Sequence, residues 1–263
     1  MIRVFFAEWR KLRRPTLFLG TMGAVAGVTA LVTSLLFLLI DSERGNAREG
    51  QMISRQTLEL PQGLSIGFSS AAGLLGLVAL CVFASQTAQE YTHGTLRNLL
   101  VRQPKRLTLL LGKFISMCSF ALATVFVSAV VSIALAFALS GKAKVATTAW
   151  TTTDARTALF HTLINVFLSV LASGTIGMIL GLVFRAPIPA ISLGVAWLLI
   201  LENIIAATVK HSATWMPGQL ITTISAGGDF NASYMHAMWV VSAYLALGVL
   251  VVSVLFRRRD VSN

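Results

Sequence analysis

The sequence reads as an all-α membrane protein of six transmembrane helices, and three observations carry that reading. Apolar residues make up 56% of the 263 residues and charged residues only 12%, against roughly 45–50% and about 25% in an ordinary soluble domain. The mean hydropathy is +0.78. Uncharged runs recur six times, at 15–40, 60–89, 114–141, 157–184, 186–201 and 230–256; a helical span needs about 20 apolar residues and no fewer than about 17. The third observation is where the basic residues fall. With the N-terminus inside, inner segments hold 14 of the 21 Lys and Arg and outer segments hold 7. Such an excess sets orientation over short loops, so both termini are expected in the cytoplasm.

The formal charge of +11 is then mostly topology and contact with anionic lipid. No basic patch carries interleaved aromatics, so membrane lipids are the expected partner of this charge and nucleic acid is not.

Residues 1–14 place Ile2, Phe5, Phe6, Trp9 and Leu12 at helical spacing, with Arg3, Glu8, Arg10, Lys11, Arg13 and Arg14 elsewhere. That pattern predicts an amphipathic helix lying in the membrane–water interface. Pro15 ends it and the first span, 15–40, follows. Ala24-Val25-Ala26 resembles a signal cleavage site, but the apolar run continues to Ile40. A signal core has about 7–15 apolar residues, so an uncut span is expected.

A charged outer loop, 41–60, leads to the second span at 63–86, an inner segment at 87–106 and the third span at 108–140. A Thr-rich outer loop precedes the fourth span, 157–184. Arg185, Pro187 and Pro189 make a tight inner turn, since proline fixes φ and stops a helix. The fifth span is expected at 187–208, with residues 203–209 extending an apolar run that stops at Glu202. Segment 210–229 mixes Trp215, Met216, Leu220, Ile221 and Ile224 with Pro217-Gly218 and Gly227-Gly228. It is expected to form one or two short re-entrant outer helices, shielded by the spans around them. The sixth span, 231–256, closes a single transmembrane domain at the basic stop Arg257, Arg258, Arg259. The pairs Gly23/Gly27, Gly63/Gly67 and Gly177/Gly181 have the spacing that lets helices approach closely, within the chain or across a dimer.

The inventory for catalysis is thin. Cys81 and Cys118 lie inside spans, and His93, His161, His211 and His236 form no ligand pair. No catalytic residue and no metal site is expected. Gly112-Lys113 is followed by Phe114 and lacks the glycine of a phosphate-binding loop. The chain is therefore not expected to be an enzyme or to bind a nucleotide or other cofactor. Glu202 is the one carboxylate within a span. Such a residue costs about 2.5–3.5 kcal/mol at the bilayer centre, so it should face protein or a watery cavity. With Asn203 it is a candidate for a substrate or proton pathway, or for a hydrogen bond to a neighbouring helix. A secondary transporter coupled to ions through Glu202 is the reading from another class.

The inner segment 87–106 carries the most specific signal. Thr95 can cap a short helix over 96–103 that Pro104 ends. Leu96, Leu99 and Leu100 give it an apolar side, Arg97 and Arg102 project elsewhere, and Gly94 allows a sharp break before the cap. Orientation alone explains the basic residues Lys105 and Arg106. It does not explain Glu90, Gly94, Thr95 and Arg97 at their fixed offsets.

Those residues resemble a known pattern. Glu90, Gly94-Thr95-Leu96-Arg97, Leu99-Leu100, Pro104, Arg106 and Gly112-Lys113 are similar to the E…GTLR…L…P…R…GK signature of ABC-2 type transporter permeases. The stretch from Glu8 to Arg14 is similar to the start of the bacitracin- and lantibiotic-resistance group. The resemblance implies a bacterial-type plasma membrane and a membrane subunit of an ABC exporter. Its substrate would be an antibiotic, an antimicrobial peptide, a lipid-like molecule or another cargo such as polysaccharide, haem or an ion. It implies that Glu90, Gly94, Thr95, Leu96, Arg97 and Leu100 couple the chain to a separate ATPase, with 95–103 as the coupling helix in its cleft and Glu90 facing its basic residues. Two ATPase copies, which bind the ATP and Mg, would pair with two permease chains, identical or homologous.

Overall fold

A computed structural model describes residues 2–40, 54–95, 101, 106–230 and 232–258. Among these residues the secondary structure is helical and contains no strand. Six helices are long and apolar enough to cross a membrane. The chain runs α1 (Ile2–Leu12), α2 (Pro15–Leu38), α3 (Arg55–Glu59), α4 (Gly63–Thr92), α5 (Arg106–Ser140), α6 (Thr153–Phe184), α7 (Pro187–Ala196), α8 (Glu202–Thr208), α9 (Pro217–Ala226) and α10 (Tyr234–Arg258). The stretches at α2, α4, α5, α6, α7–α8 and α10 are the six apolar ones.

Helices α4 and α6 make the most extensive contact between any two elements, and glycine is the reason. A Cβ on Gly177 would strike the backbone carbonyl of Leu80, and one on Gly181 would lie 2.7 Å from the Ala84 carbonyl. The two backbones therefore meet directly, the approach that small residues permit in a bilayer. Gly67 is enclosed by Thr33 and Ser132. Gly23 and Gly27 meet nothing within the chain.

Hydroxyl pairs join α2 to α5. Thr29 and Ser128 lie 2.7 Å apart, and one turn further Thr33 donates to Ser132 at 3.2 Å. All four are fully buried. Each hydroxyl thus has a hydrogen-bond partner, which avoids the cost of an unpaired polar group away from water.

The ends of α2, α4 and α5 remote from α1 are closed by a small separate core of Phe37, Leu58, Leu64, Ala136, Ala143, Val145 and Trp150. Trp150, in a 3-10 turn, donates from Nε1 to the Leu58 carbonyl at 2.8 Å. Its ring meets Phe37 and Phe137 edge-on. Helix α6 starts at Thr153, ahead of its apolar run, because the Thr152 hydroxyl accepts from Ala155 N. An N-cap of this kind stabilises a helix start by about 1 kcal/mol.

Between α8 and α10 lie a 3-10 turn (Ser212–Thr214) and α9. Leu220, Ile221 and Ile224 of α9 are buried among Leu168, Ala172, Ala237 and Val241. Helix α9 ends at Gly227, whose φ of 81° only glycine adopts easily.

Candidate functional site

Helix α1 has two working faces. The stripe found from periodicity includes Ile2, 74% exposed, and Phe6, 58% exposed, so part of it points away from the bundle. The face turned inward carries Val4, Glu8, Lys11 and Leu12, a set with helical spacing of its own. Glu8 is 5% exposed and Leu12 2%. This face packs on the start of α5.

Four side chains meet there in a ring of alternating charge. Lys11 Nζ lies 2.7 Å from Glu8 Oε1 and 2.9 Å from Glu90 Oε1. Lys113 Nζ lies 2.5 Å from Glu90 Oε1 and 3.3 Å from Glu8 Oε2. Lys113 is only 2% exposed, and an ammonium has three donors to satisfy. Beside its two carboxylate neighbours it donates to the Gln86 carbonyl at 3.1 Å. Two carboxylates and two ammonium groups leave the cluster with no net charge. A buried ion cluster is sustained when it is paired and saturated with hydrogen bonds.

The cluster ties three elements together: α1, the last turn of α4 and the first turns of α5. A fourth contact comes from the turn between α6 and α7. Arg185, held at φ 54°, sets its guanidinium 5.5 Å from the centre of the Tyr91 ring, a cation–π distance. The end of α4 is thus gripped from three sides.

Glu90 accordingly meets Lys11 and Lys113 of its own chain. Just past it, His93 N returns to the Gln89 carbonyl and Gly94 N to that of Tyr91, at 3.0 and 3.2 Å. Gly94 then takes φ 64°. A Cβ there would meet nothing within 4 Å, so it is the backbone turn, not space, that asks for glycine. The Thr95 hydroxyl donates backward to the Glu90 carbonyl at 3.5 Å. Leu96, Arg97 and Leu100, with most of the expected coupling helix, lie outside the described residues.

Lys11 holds its proton beyond the ordinary lysine range. Burial works against the charge, but the carboxylates of Glu90 and Glu8 outweigh it. The stabilisation it brings is complete below the ordinary lysine pKa and is lost as pH rises through the raised value. A nitroxide on exposed Ala7, in a chain whose Cys81 and Cys118 are replaced by serine, should keep constant mobility from neutral pH to about 10. It should loosen only above that; loosening near neutral pH would show that Lys11 does not hold α1.

At the other candidate position, Glu202 is fully buried. Its Oε1 accepts from Trp197 Nε1 at 2.7 Å and its Oε2 from Gln219 N at 3.1 Å. The backbone explains the first contact. Positions five apart lie about 140° around a regular α-helix, but Trp197–Leu201 form a π turn, whose i→i+5 bonding swings them together. The second contact puts a carboxylate on the free N–H groups that begin α9, where a negative charge is favoured. Asn203 adds a bond, its Oδ1 accepting from Gln219 Nε2 at 3.2 Å. Glu202 and Asn203 thus fix α9 to the fifth span.

Reasoning from sequence saw Glu90 but missed its partners Glu8, Lys11 and Lys113. A signal was available. Glu8 and Glu90 are lone acids within basic inner segments, and two lone acids beside two lysines invite a pair.

Fold and site define a multi-pass helical membrane protein in which the end of α4 is anchored by a buried ion cluster. The chain belongs to the DUF2705 family, described as proteins of unknown function, whose profile matches residues 28–262. That match includes Glu90, Lys113 and Glu202 and leaves out α1. Comparison with curated proteins gave no match.

Proposed function

We propose that the chain is the membrane permease of an ATP-driven ABC exporter of the ABC-2 type, coupled to a separate ATPase through the segment that leaves α4 at Gly94. The observation that carries this reading is the mounting of that segment. Its base at Glu90–Tyr91 is fastened to α1, α5 and the α6–α7 turn through Lys11, Lys113 and Arg185. A force on the segment would therefore reach several helices at once, which a coupling handle requires and a passive turn does not.

In this reading two ATPase copies bind ATP and Mg in the cytoplasm and engage two permease chains. Glu90 acts as a positioning residue whose ion pairs aim the coupling helix. Closure of the ATPases moves the helix bundles and expels an antibiotic, an antimicrobial peptide or a lipid-like molecule. Both termini lie in the cytoplasm of a bacterial-type plasma membrane.

Co-purification of the native protein tests the proposal. An ATPase bearing a phosphate-binding loop should accompany it, and absence of such a chain under gentle solubilisation would sink the reading. Gly94→Ala is the sharper probe. A left-handed backbone costs a non-glycine residue about 1–2 kcal/mol, while no atom is displaced at this open position. The variant should insert at normal abundance yet retain several-fold less ATPase. Equal retention would reduce the segment to a turn.

A further inference from the structure

At the end of the bundle opposite the ion cluster lies a cavity of about 1110 Å³, at the upper limit of the roughly 300–1,000 Å³ of typical ligand sites. Its walls come from the starts of α4, α6 and α10 and from α9. Along α4 the lining runs from Ser65 through Ser69 to Gly73, a depth of about 12 Å at 1.5 Å per residue. Ligand pockets are usually apolar with a few polar groups. This one is mixed: hydroxyl side chains recur on every wall, Gln62, His161, Asn165 and Asp229 add further polar groups, and among the described residues its lining contains no Lys or Arg.

The hydroxyls share a further property. Ser65, Ser69, Thr162, Thr222 and Ser225 donate to backbone carbonyls of their own chain stretch, at 3.0, 3.1, 2.9, 2.6 and 2.7 Å. A hydroxyl has one proton and two lone pairs, so these protons are spent and what remains is accepting capacity, part of it on Ser65 taken by Thr162 at 3.2 Å. The wall thus offers dispersed hydroxyl acceptors over α4, α6 and α9, beside the carboxylate of Asp229 and the side chains of Gln62, His161 and Asn165. At its mouth Phe230 is wholly exposed and Tyr234 adds a second aromatic ring.

We infer that this cavity binds a neutral, polyhydroxylated headgroup, a sugar carried on a lipid or free. Sugar hydroxyls donate in many directions over a broad area, matching dispersed acceptors better than a single ammonium would. The apolar face of a pyranose packs on an exposed aromatic ring such as Phe230. An anionic headgroup finds no cation among the described lining residues. The position of α9, one wall, is set by Glu202 and Asn203, which gives those two residues a positioning role. Taken with the exporter reading, on which this last step rests, the bound headgroup is the polar end of the substrate.

The experiment uses the permease alone in nanodiscs of phosphatidylethanolamine and phosphatidylglycerol, with fluorescent monoglucosyl diacylglycerol as probe. Unlabelled glucosyl lipid and methyl glucoside should displace the probe. Diacylglycerol and lysyl-phosphatidylglycerol should compete at least about tenfold more weakly, a difference of about 1.4 kcal/mol. Ser69→Leu and Thr222→Leu, which fill the cavity, should weaken binding by at least that factor. Phe230→Ala, at a wholly exposed position, should weaken it several-fold without touching the fold. Displacement by diacylglycerol but not methyl glucoside, equal competition by the cationic lipid, or unaltered binding by all three variants would overturn the inference. No ATPase is present, so such failure leaves the coupling proposal standing, and loss of the ATPase partner leaves this site standing.

Discussion

Lys113→Met should lower the stability of the folded bundle by about 3–5 kcal/mol, the range for breaking a buried ion pair from one side. The loss follows from charge. Lys113 is almost wholly enclosed and contacts both Glu8 and Glu90. Without it, two carboxylates share the single ammonium of Lys11, and the Gln86 carbonyl loses its extra donor. Thermal unfolding in nanodiscs, followed by fluorescence-detected size exclusion, reads the effect. Adding Glu8→Gln to Lys113→Met restores neutrality and should recover a substantial part of the loss. A single variant that melts with the parent would show that the ion ring contributes little. The same logic makes Glu90→Arg a poor probe of ATPase docking, since it would set three cations against Glu8 and weaken the mount itself.

Gly177→Val should be the most damaging single change in the spans. A Cβ at this position would run into the Leu80 carbonyl, a backbone atom that cannot rotate aside. Overpacking commonly costs about 1–3 kcal/mol where side chains can adjust; here α4 and α6 must part along their largest contact. The expected result is loss of most correctly folded, monodisperse protein. Gly23→Val, at a position that meets nothing within the chain, is the matched control and should leave that peak intact. Equal yields from the two variants would mean that α4 and α6 do not meet backbone to backbone.

The spans were legible because a bilayer rewards long uncharged runs and punishes interruptions, a demand written locally in the chain. Helix ends were less so. Helix α6 gains a turn from the Thr152 cap, and α4 continues past its apolar part through Glu90 to Thr92, a stretch held by side-chain bonds that hydropathy does not weigh. Periodicity found the apolar stripe of α1, but it was blind to the opposite face, where Glu8 and Lys11 do the binding. Glu90 stood out by its offset from Gly94; its partners did not, because Lys11 is 79 positions away and only the scarcity of acids in those two segments hints at the pairing. The π turn that brings Trp197 to Glu202 is likewise invisible in a run of apolar residues. The wall of the outer cavity was hidden in ordinary span-end serines and threonines, whose significance depends on four helices converging.

The ion ring also works as a key. Glu8 of α1 mates with Lys113, and Lys11 with Glu90. Were α1 to lie in the reverse direction, Glu8 would fall against Glu90 and Lys11 against Lys113, and every cross-contact would become repulsive. The four residues therefore encode the polarity of the first helix: Glu90 at the end of the second span reads one half of the code, and Lys113 in the third reads the other.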